Sequence, residues 1–358
     1  MIRRRWLVAV LASAVWTTWA AEDKVAGGPF VVNVGPKTAT VVWLVQGSEV
    51  KLGTARDQLT KAALSLRSEK VTYTGLEPGK TYYYDVAAAG AAGKGSFKTP
   101  PAGRANFEFA VFGDTRTRHE LHKKVIAAMV KEEPDFVIHT GDLVADGADT
   151  GQWPIFFSIE RDLLRKTVFF PCLGNHERNN RQYYDFFDVN FPYYSFDWGA
   201  AHIVVLNSDM GNIAVSELAK DAFWGEQMRW LGSDLEKSAK AELKFVAFHH
   251  PPFTAMKKRQ VKDERLEDLV ALMEKYKITA VFNGHDHNYQ HHLKNGIHYV
   301  VTGGGGAPLY DPDAPIPGVT QKVERTEHYV RIKVTGNQAK VEAIALDGRL
   351  LDAFDLKP

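Results

Sequence analysis

The chain of 358 residues contains a single cysteine, Cys172. No internal disulfide can staple it, so its stability rests on core packing and on any ions it binds. Cys172 lies inside an apolar run and reads as a small buried hydrophobe rather than as a soft metal ligand. Net charge is also scarce. The formal balance is +1, and it falls to −2 without Arg3, Arg4 and Arg5, which leaves no surplus for wholesale nucleic-acid binding. Beyond the first 20 residues no apolar run is long enough to cross a bilayer. Internal repeats and low-complexity tracts are missing too. The one biased run, Gly303 to Gly306, lacks the Gly-Lys-Ser/Thr ending of a phosphate-cradling loop and reads as a tight turn.

What the first 20 residues do contain is a short basic start, an apolar stretch from Trp6 to Trp16 and then Thr18-Trp19-Ala20, where a signal peptidase could cut. Residues 1–20 are therefore expected to be an export signal. Arg3-Arg4-Arg5 also resembles a twin-arginine signal, although an ordinary basic start is the better reading. Export to a periplasm or to the medium is the expectation.

Residues 28–100 alternate apolar and polar over short segments, the pattern of an all-β sandwich. Leu76-Glu77-Pro78-Gly79-Lys80-Thr81-Tyr82-Tyr83-Tyr84 resembles the tyrosine corner of fibronectin type III domains, in which a phenol ties back to nearby backbone. Trp43 is expected at the centre. Residues 101–105, opened by consecutive prolines, read as a linker.

From residue 106 to 358 strands alternate with amphipathic helices, the signature of an α/β domain. One helical face carries Leu121, Val125 and Met129, another Trp224, Met228, Leu231 and Leu235, and a third Leu266, Leu269, Val270 and Met273. Five apolar runs, at 107–112, 135–139, 167–173, 244–248 and 278–283, read as buried strands. Each is followed by a polar cluster: Gly113-Asp114, Gly141-Asp142, Gly174-Asn175-His176-Glu177, His249-His250-Pro251 and Gly284-His285-Asp286-His287. If the strands run parallel, all five clusters emerge at the carboxyl edge of one sheet, where such folds bind ligands. Carboxylate, amide oxygen and imidazole donors suit Zn, Mn or Fe. A shared carboxylate can bridge two ions about 3.5–4 Å apart, the spacing used to clamp a phosphoryl group.

These clusters, in this order, resemble the calcineurin-like metallophosphoesterases, and with the N-terminal β segment they are most similar to the purple acid phosphatase branch. The resemblance implies a layered α-β-β-α sandwich, preceded by a small all-β fibronectin type III-like sandwich. It implies that Asp114, Asp142 and His287 hold a first metal, and that Asp142, Asn175, His249 and His285 hold a second. The two ions would be divalent or trivalent Fe, Mn or Zn, with a hydroxide between them as the nucleophile. His176 is the candidate proton donor to the leaving oxygen. Two positions depart from the pattern: Arg116 stands where most members have His, and Ala145 where purple acid phosphatases have Tyr. The first ion thus lacks its usual extra ligand and is expected to bind more weakly or to take additional water. Arg116, an always-charged planar fork, is a candidate for contacting substrate phosphate or else forms a structural salt bridge. His119, Asp146, His250 and Tyr289 are further pocket candidates, and His139 is expected to be strand packing.

The expected activity is hydrolysis of small-molecule phosphate monoesters. Diester hydrolysis on nucleotides or lipid head groups is an alternative from the same nucleophile. An adhesion or binding protein with a degenerate metal site is the alternative from another class.

Overall fold

The computed structural model describes residues 24–357, and the expected export signal at 1–20 lies outside them. The chain opens with β1 (Lys24–Gly35), β2 (Thr38–Leu52), β3 (Lys61–Thr74), β4 (Thr81–Asp85) and β5 (Lys94–Lys98). The α/β region follows with β6 (Phe107–Phe112), α1 (His119–Met129), β7 (Phe136–His139), α2 (Gln152–Leu164), β8 (Val168–Pro171), α3 (Arg181–Phe187), β9 (Tyr194–Trp198) and β10 (Ala201–Val205). Next come α4 (Glu217–Lys237), β11 (Leu243–Ala247), α5 (Glu264–Lys275), β12 (Ala280–Asn283), β13 (Tyr289–Lys294) and β14 (Ile297–Thr302). The chain closes with β15 (Thr320–Glu324), β16 (His328–Thr335), β17 (Gln338–Ala345) and β18 (Leu350–Leu356).

Two large sheets form, in the orders β18-β17-β16-β6-β7-β8-β1-β2-β3 and β15-β13-β14-β12-β11-β10-β9. The five site-bearing strands are therefore divided. β6, β7 and β8 run parallel in the first sheet, and β11 and β12 run parallel in the second. This corrects the expectation of a single sheet edge. The physical reason is that both sheets have two apolar faces. Their inner faces meet in one core that includes Phe109, Val111, Phe136, Ile138, Phe245 and Phe282. The outer face of the first sheet packs on α1, α2 and α3 through Val125, Met129, Trp153, Phe157 and Phe187. The second is covered by α4 and α5 through Trp224, Leu231, Leu235, Leu269 and Met273. The result is the layered α-β-β-α arrangement.

All three helical faces read from periodicity are helices, and α4 and α5 are N-capped by the side chains of Ser216 and Asp263. The short α3 and the aromatic-rich α2 gave no clear periodic signal. The N-terminal segment is β in its three-stranded ladder, faced by the β4–β5 ribbon, which lays Phe97, Tyr82 and Tyr84 against the shared core. The ladder does not end there, because β1 bridges to β8 in parallel at Val31 and Val168. Phe30 stacks on Phe157 of α2 with centroids 4.8 Å apart. The tyrosine corner is present: the Tyr82 hydroxyl accepts from the Glu77 N–H at 2.8 Å. Trp43, expected at the centre, is only half-buried, whereas Phe30 of β1 is fully buried.

A charged link ties the second sheet to α4. His202 on β10 bonds Asp197 at 2.7 Å through Nδ1 and Asp234 at 2.8 Å through Nε2. Burial alone would lower its pKa, but the two carboxylates prevail and raise it from 6.5 to about 9. A raised folded-state value means that this stabilisation is complete below pH 6.5 and lost as pH rises through about 9. His202→Gln is expected to lower the urea midpoint clearly at acid pH and by less above pH 9. Equal losses on both sides of that window would remove charge as the cause.

Candidate metal centre

Each of the five strands delivers its polar cluster to the same end of the two sheets. β6 leads to Asp114, β7 to Asp142, β8 to Asn175 and His176, β11 to His249 and His250, and β12 to His285 and His287. Three of these residues, Asp114, Asp142 and His285, take left-handed backbone at φ of 58°, 59° and 69°. Non-glycine residues rarely adopt it, and such conformations gather where a site dictates the direction of a side chain.

The donors fall into two groups. Asp114, Asp142 and His287 are all buried, and their ligand atoms lie within 4.8 Å of one another. His249, His250 and His285 form a second group on the same measure. Asn175 belongs with the second, its Oδ1 lying 3.1 Å from His249 Nε2 and 3.2 Å from His285 Nδ1. Asp142 connects the two, with Oδ1 3.4 Å from His249 Nε2. The structure thus brings together Asp114, Asp142, Asn175, His249, His285 and His287, and adds His250, a further pocket candidate from the sequence, to the second group.

The hydrogen bonds behind the imidazoles decide which nitrogen faces the cluster. His249 donates through Nδ1 to the Thr140 carbonyl at 2.8 Å, and His287 donates through Nδ1 to the Pro308 carbonyl at 2.7 Å. Both Nε2 atoms are then turned inward, and although burial opposes a charge on His249, the Asp142 and Asp114 carboxylates raise its pKa, as befits a place that attracts a cation. His249 Nε2 meets the Asn175 amide oxygen, and His287 Nε2 meets the Asp114 carboxylate at 3.3 Å. Acceptors facing acceptors in a buried place require a proton or a cation between them. Burial and the charge of neighbouring histidines hold His250 and His285 far below the usual imidazole range, so both are neutral and suited to ligation. Burial alone would raise Asp114, but contact with His287 holds its carboxyl below the ordinary value. The donor set therefore fits divalent cations.

Glu177 braces the cluster from behind. Its buried carboxylate accepts the backbone N–H of Asp142 at 2.9 Å, Leu143 at 2.8 Å, Val144 at 3.3 Å and Gly174 at 2.8 Å. Burial and the Asp142 charge push its pKa up to about 8, against the opposing pull of those backbone donors. Gly174 lies so close that a Cβ there would sit 2.4 Å from Asp142 Oδ1. The glycine run has a similar purpose: a Cβ on Gly303 would sit 2.3 Å from the Asp286 carbonyl and 2.9 Å from Asp114 Oδ2. It is an active-site turn, bound to the first strand by Ala307 N–H donating to the Asp114 carbonyl at 2.7 Å.

Other predicted residues divide. His176 stands at the rim, with Nδ1 donating to the Ala145 carbonyl at 2.7 Å and Nε2 3.9 Å from Asp142 Oδ2. Arg116 reaches the first group, with Nε 3.3 Å from Asp142 Oδ2. His139 is fully buried strand packing, 3.1 Å from Thr115 Oγ1. His119 is exposed, and Asp146 pairs with Arg178 at 3.2 Å in the rim loop. Tyr289 is corrected: it points into the inter-sheet core and donates to Asp352 at 2.9 Å, because the alternation of β13 turns that position inward. Sequence reasoning missed the bracing by Glu177, although the residue closes a quoted motif. It also missed Tyr310, stacked 4.1 Å from His287 with Arg259 5.1 Å from its ring centre, since neither residue belongs to a pattern.

A model of the calcineurin-like phosphoesterase family matches residues 107–289, a little over half of the chain. The chain belongs to that family. The phosphoesterase is 26% identical over 319 residues to the probable purple acid phosphatase 20 of Arabidopsis thaliana, covering 76% of this chain and 72% of that protein. It is 26% identical over 273 residues to the phosphoenolpyruvate phosphatase of Allium cepa, covering 67% of this chain and 54% of that protein, about half its length. Among solved structures it resembles the purple acid phosphatase PPD1 of yellow lupin (Lupinus luteus) seeds, with a TM-score of 0.70, 17% identity and coverage of 92% of this chain and 74% of that one. That last likeness establishes the fold. The relatives are purple acid phosphatases, metal-dependent phosphoesterases whose family uses a dinuclear centre.

Proposed function

We propose that the chain is an exported, metal-dependent phosphatase that hydrolyses small phosphate monoesters. One observation carries the reading: acceptors from two sheets face one another, His249 Nε2 against the Asn175 amide oxygen and His287 Nε2 against the Asp114 carboxylate, a pattern that bound cations would satisfy. Bound ions would supply an activated water near neutral pH and would neutralise the phosphoryl oxygens. Asp114, Asp142 and His287 would hold one ion, and Asn175, His249 and His285, with Asp142, the other. The Allium cepa relative is named for a monoester substrate, which supports the same class here. Export rests on the basic and apolar start of residues 1–20. Among the described residues no helix is long and apolar enough to cross a membrane. The division into a β domain at 28–100, a linker at 101–105 and a catalytic domain at 106–358 belongs to the same proposal.

The organic part of the ester has a place beside the second group. A cavity of about 810 Å³ opens there between His250, His285, Pro252, Phe253, Arg259 and Leu266. Its lining mixes apolar side chains with basic and acidic ones, which suits a leaving group with a carbon skeleton. His176 stands at the rim to protonate the leaving oxygen. Its Nδ1–H is committed to Ala145, so only the protonated ring presents an N–H at Nε2 toward the site. His176→Ala is expected to slow alkyl monoesters by about a hundredfold. Aryl esters with good leaving groups should lose much less, because their departure needs no proton. Equal losses on both would assign His176 to positioning.

The decisive test is metal analysis of the purified chain, with turnover of a chromogenic monoester and diester panel before and after chelation. Monoester turnover that chelation removes and metal restores is expected. Preference for diesters would move the substrate class, and stoichiometric metal without turnover would favour a binding protein.

A further inference from the structure

We propose that Arg116 is the resident cation of the first donor group, and that an incoming metal ion has to displace it, so the two metal positions load in a fixed order. The inference rests on reading the two donor groups as metal positions.

Arg116 lies two residues beyond Asp114, and its side chain is only 15% exposed. Nε approaches Asp142 Oδ2 at 3.3 Å, and a terminal nitrogen approaches His287 Nε2 at 3.5 Å. Asp142 and His287 are two of the three members of the first group. Nε is buried yet makes no hydrogen bond, so the guanidinium is held by charge rather than by the parallel fork geometry such pairs prefer. It answers the same inward-facing carboxylate and imidazole that a metal ion would answer. The second group has no such guest among the described residues. Arg259, whose charge reaches His250 and His285, is tied to Asp286 and to the His285 carbonyl at 2.7 Å.

A guanidinium does not lose its proton in proteins, and like charges about 4 Å apart repel strongly even at a generous internal dielectric. The ion and Arg116 therefore exclude one another, and the side chain has to swing out. Once displaced, the fork is free for the substrate phosphate, its natural bidentate partner. A missing ligand alone would also weaken the first ion, but the two causes differ in their consequence. Removing the arginine restores nothing if a ligand is merely missing. It tightens the first ion if the arginine is a competitor.

The test is calorimetric titration of Mn²⁺ into the metal-free full chain, with electron paramagnetic resonance to separate isolated from coupled ions. Wild type is expected to take one ion tightly and a second at least about tenfold more weakly. Arg116→Gln, which keeps bulk and loses charge, should tighten the weak ion by about tenfold, and Arg116→Lys, which keeps charge, should not. Two ions of like affinity in wild type would overturn the proposal without recourse to any variant. A weak second ion unchanged by Arg116→Gln would overturn it in favour of the missing ligand. Absence of bound Mn²⁺ in every form would overturn the metallohydrolase reading as well.

Discussion

Asp142→Asn should lower turnover of a chromogenic monoester by about a thousandfold, the scale on which loss of one well-placed electrostatic group acts. Asp142 is the residue through which the two donor groups communicate. One oxygen lies against His249 of the second group, and the other faces Arg116 at the first. A neutral amide keeps the shape but offers only one oxygen and half of the coordinating capacity. The backbone N–H of His176 also donates to Asp142 Oδ1 at 3.0 Å, so the substitution loosens the rim together with the centre. Metal content should fall in parallel with turnover. A variant that keeps both within about tenfold of wild type would show that the carboxylate does not join the two groups.

The second large effect is expected at Glu177, and it is an effect on stability. Four backbone N–H groups converge on one buried carboxylate. Each buried donor left without a partner costs about 1–3 kcal/mol, so Glu177→Ala should remove at least about 4 kcal/mol. Relief of repulsion with Asp142 offsets only a part. Glu177→Gln should lose less, since its amide oxygen still accepts, while its NH₂ faces donors it cannot serve. Urea unfolding of the metal-free protein measures the loss. An alanine variant with an unchanged midpoint would mean that water takes over the carboxylate's bonds. Metal affinity should fall as well, because the residues that Glu177 holds carry Asp142 and adjoin Asn175.

Much of the candidate site was legible because its signals are local. A buried strand followed at once by Gly-Asp, Gly-Asn-His-Glu or Gly-His-Asp-His places donors at a strand end, whatever that strand pairs with. What those signals omit is partnership between distant segments. The division of the five strands between two sheets follows from facing apolar surfaces such as Phe109 against Phe245 and Phe282, and pattern within one strand carries no such information. The same limit explains Tyr289 and Tyr310. One is turned toward Asp352 by its strand, and the other is brought onto His287 by a loop. The N-terminal β segment shows both sides: its tyrosine corner was readable from nine consecutive residues, whereas its junction with the first sheet depends on Val31 meeting Val168.

The amino-acid sequence by itself determined which side chains are available and where along the chain they emerge: six oxygen- or nitrogen-donor residues at the ends of five apolar runs, most with glycines beside them. Donor chemistry and strand period are properties of neighbouring residues, so they survive without a fold. Only the tertiary structure decided that donors from two sheets face one another, that the Thr140 and Pro308 carbonyls turn the imidazoles inward, and that Arg116 stands against the first group. Those outcomes depend on contacts between residues distant along the chain, 109 and 21 positions for the two carbonyl bonds, or on the direction one side chain takes when several are open to it. Packing selects among such alternatives, and packing is a property of the whole molecule.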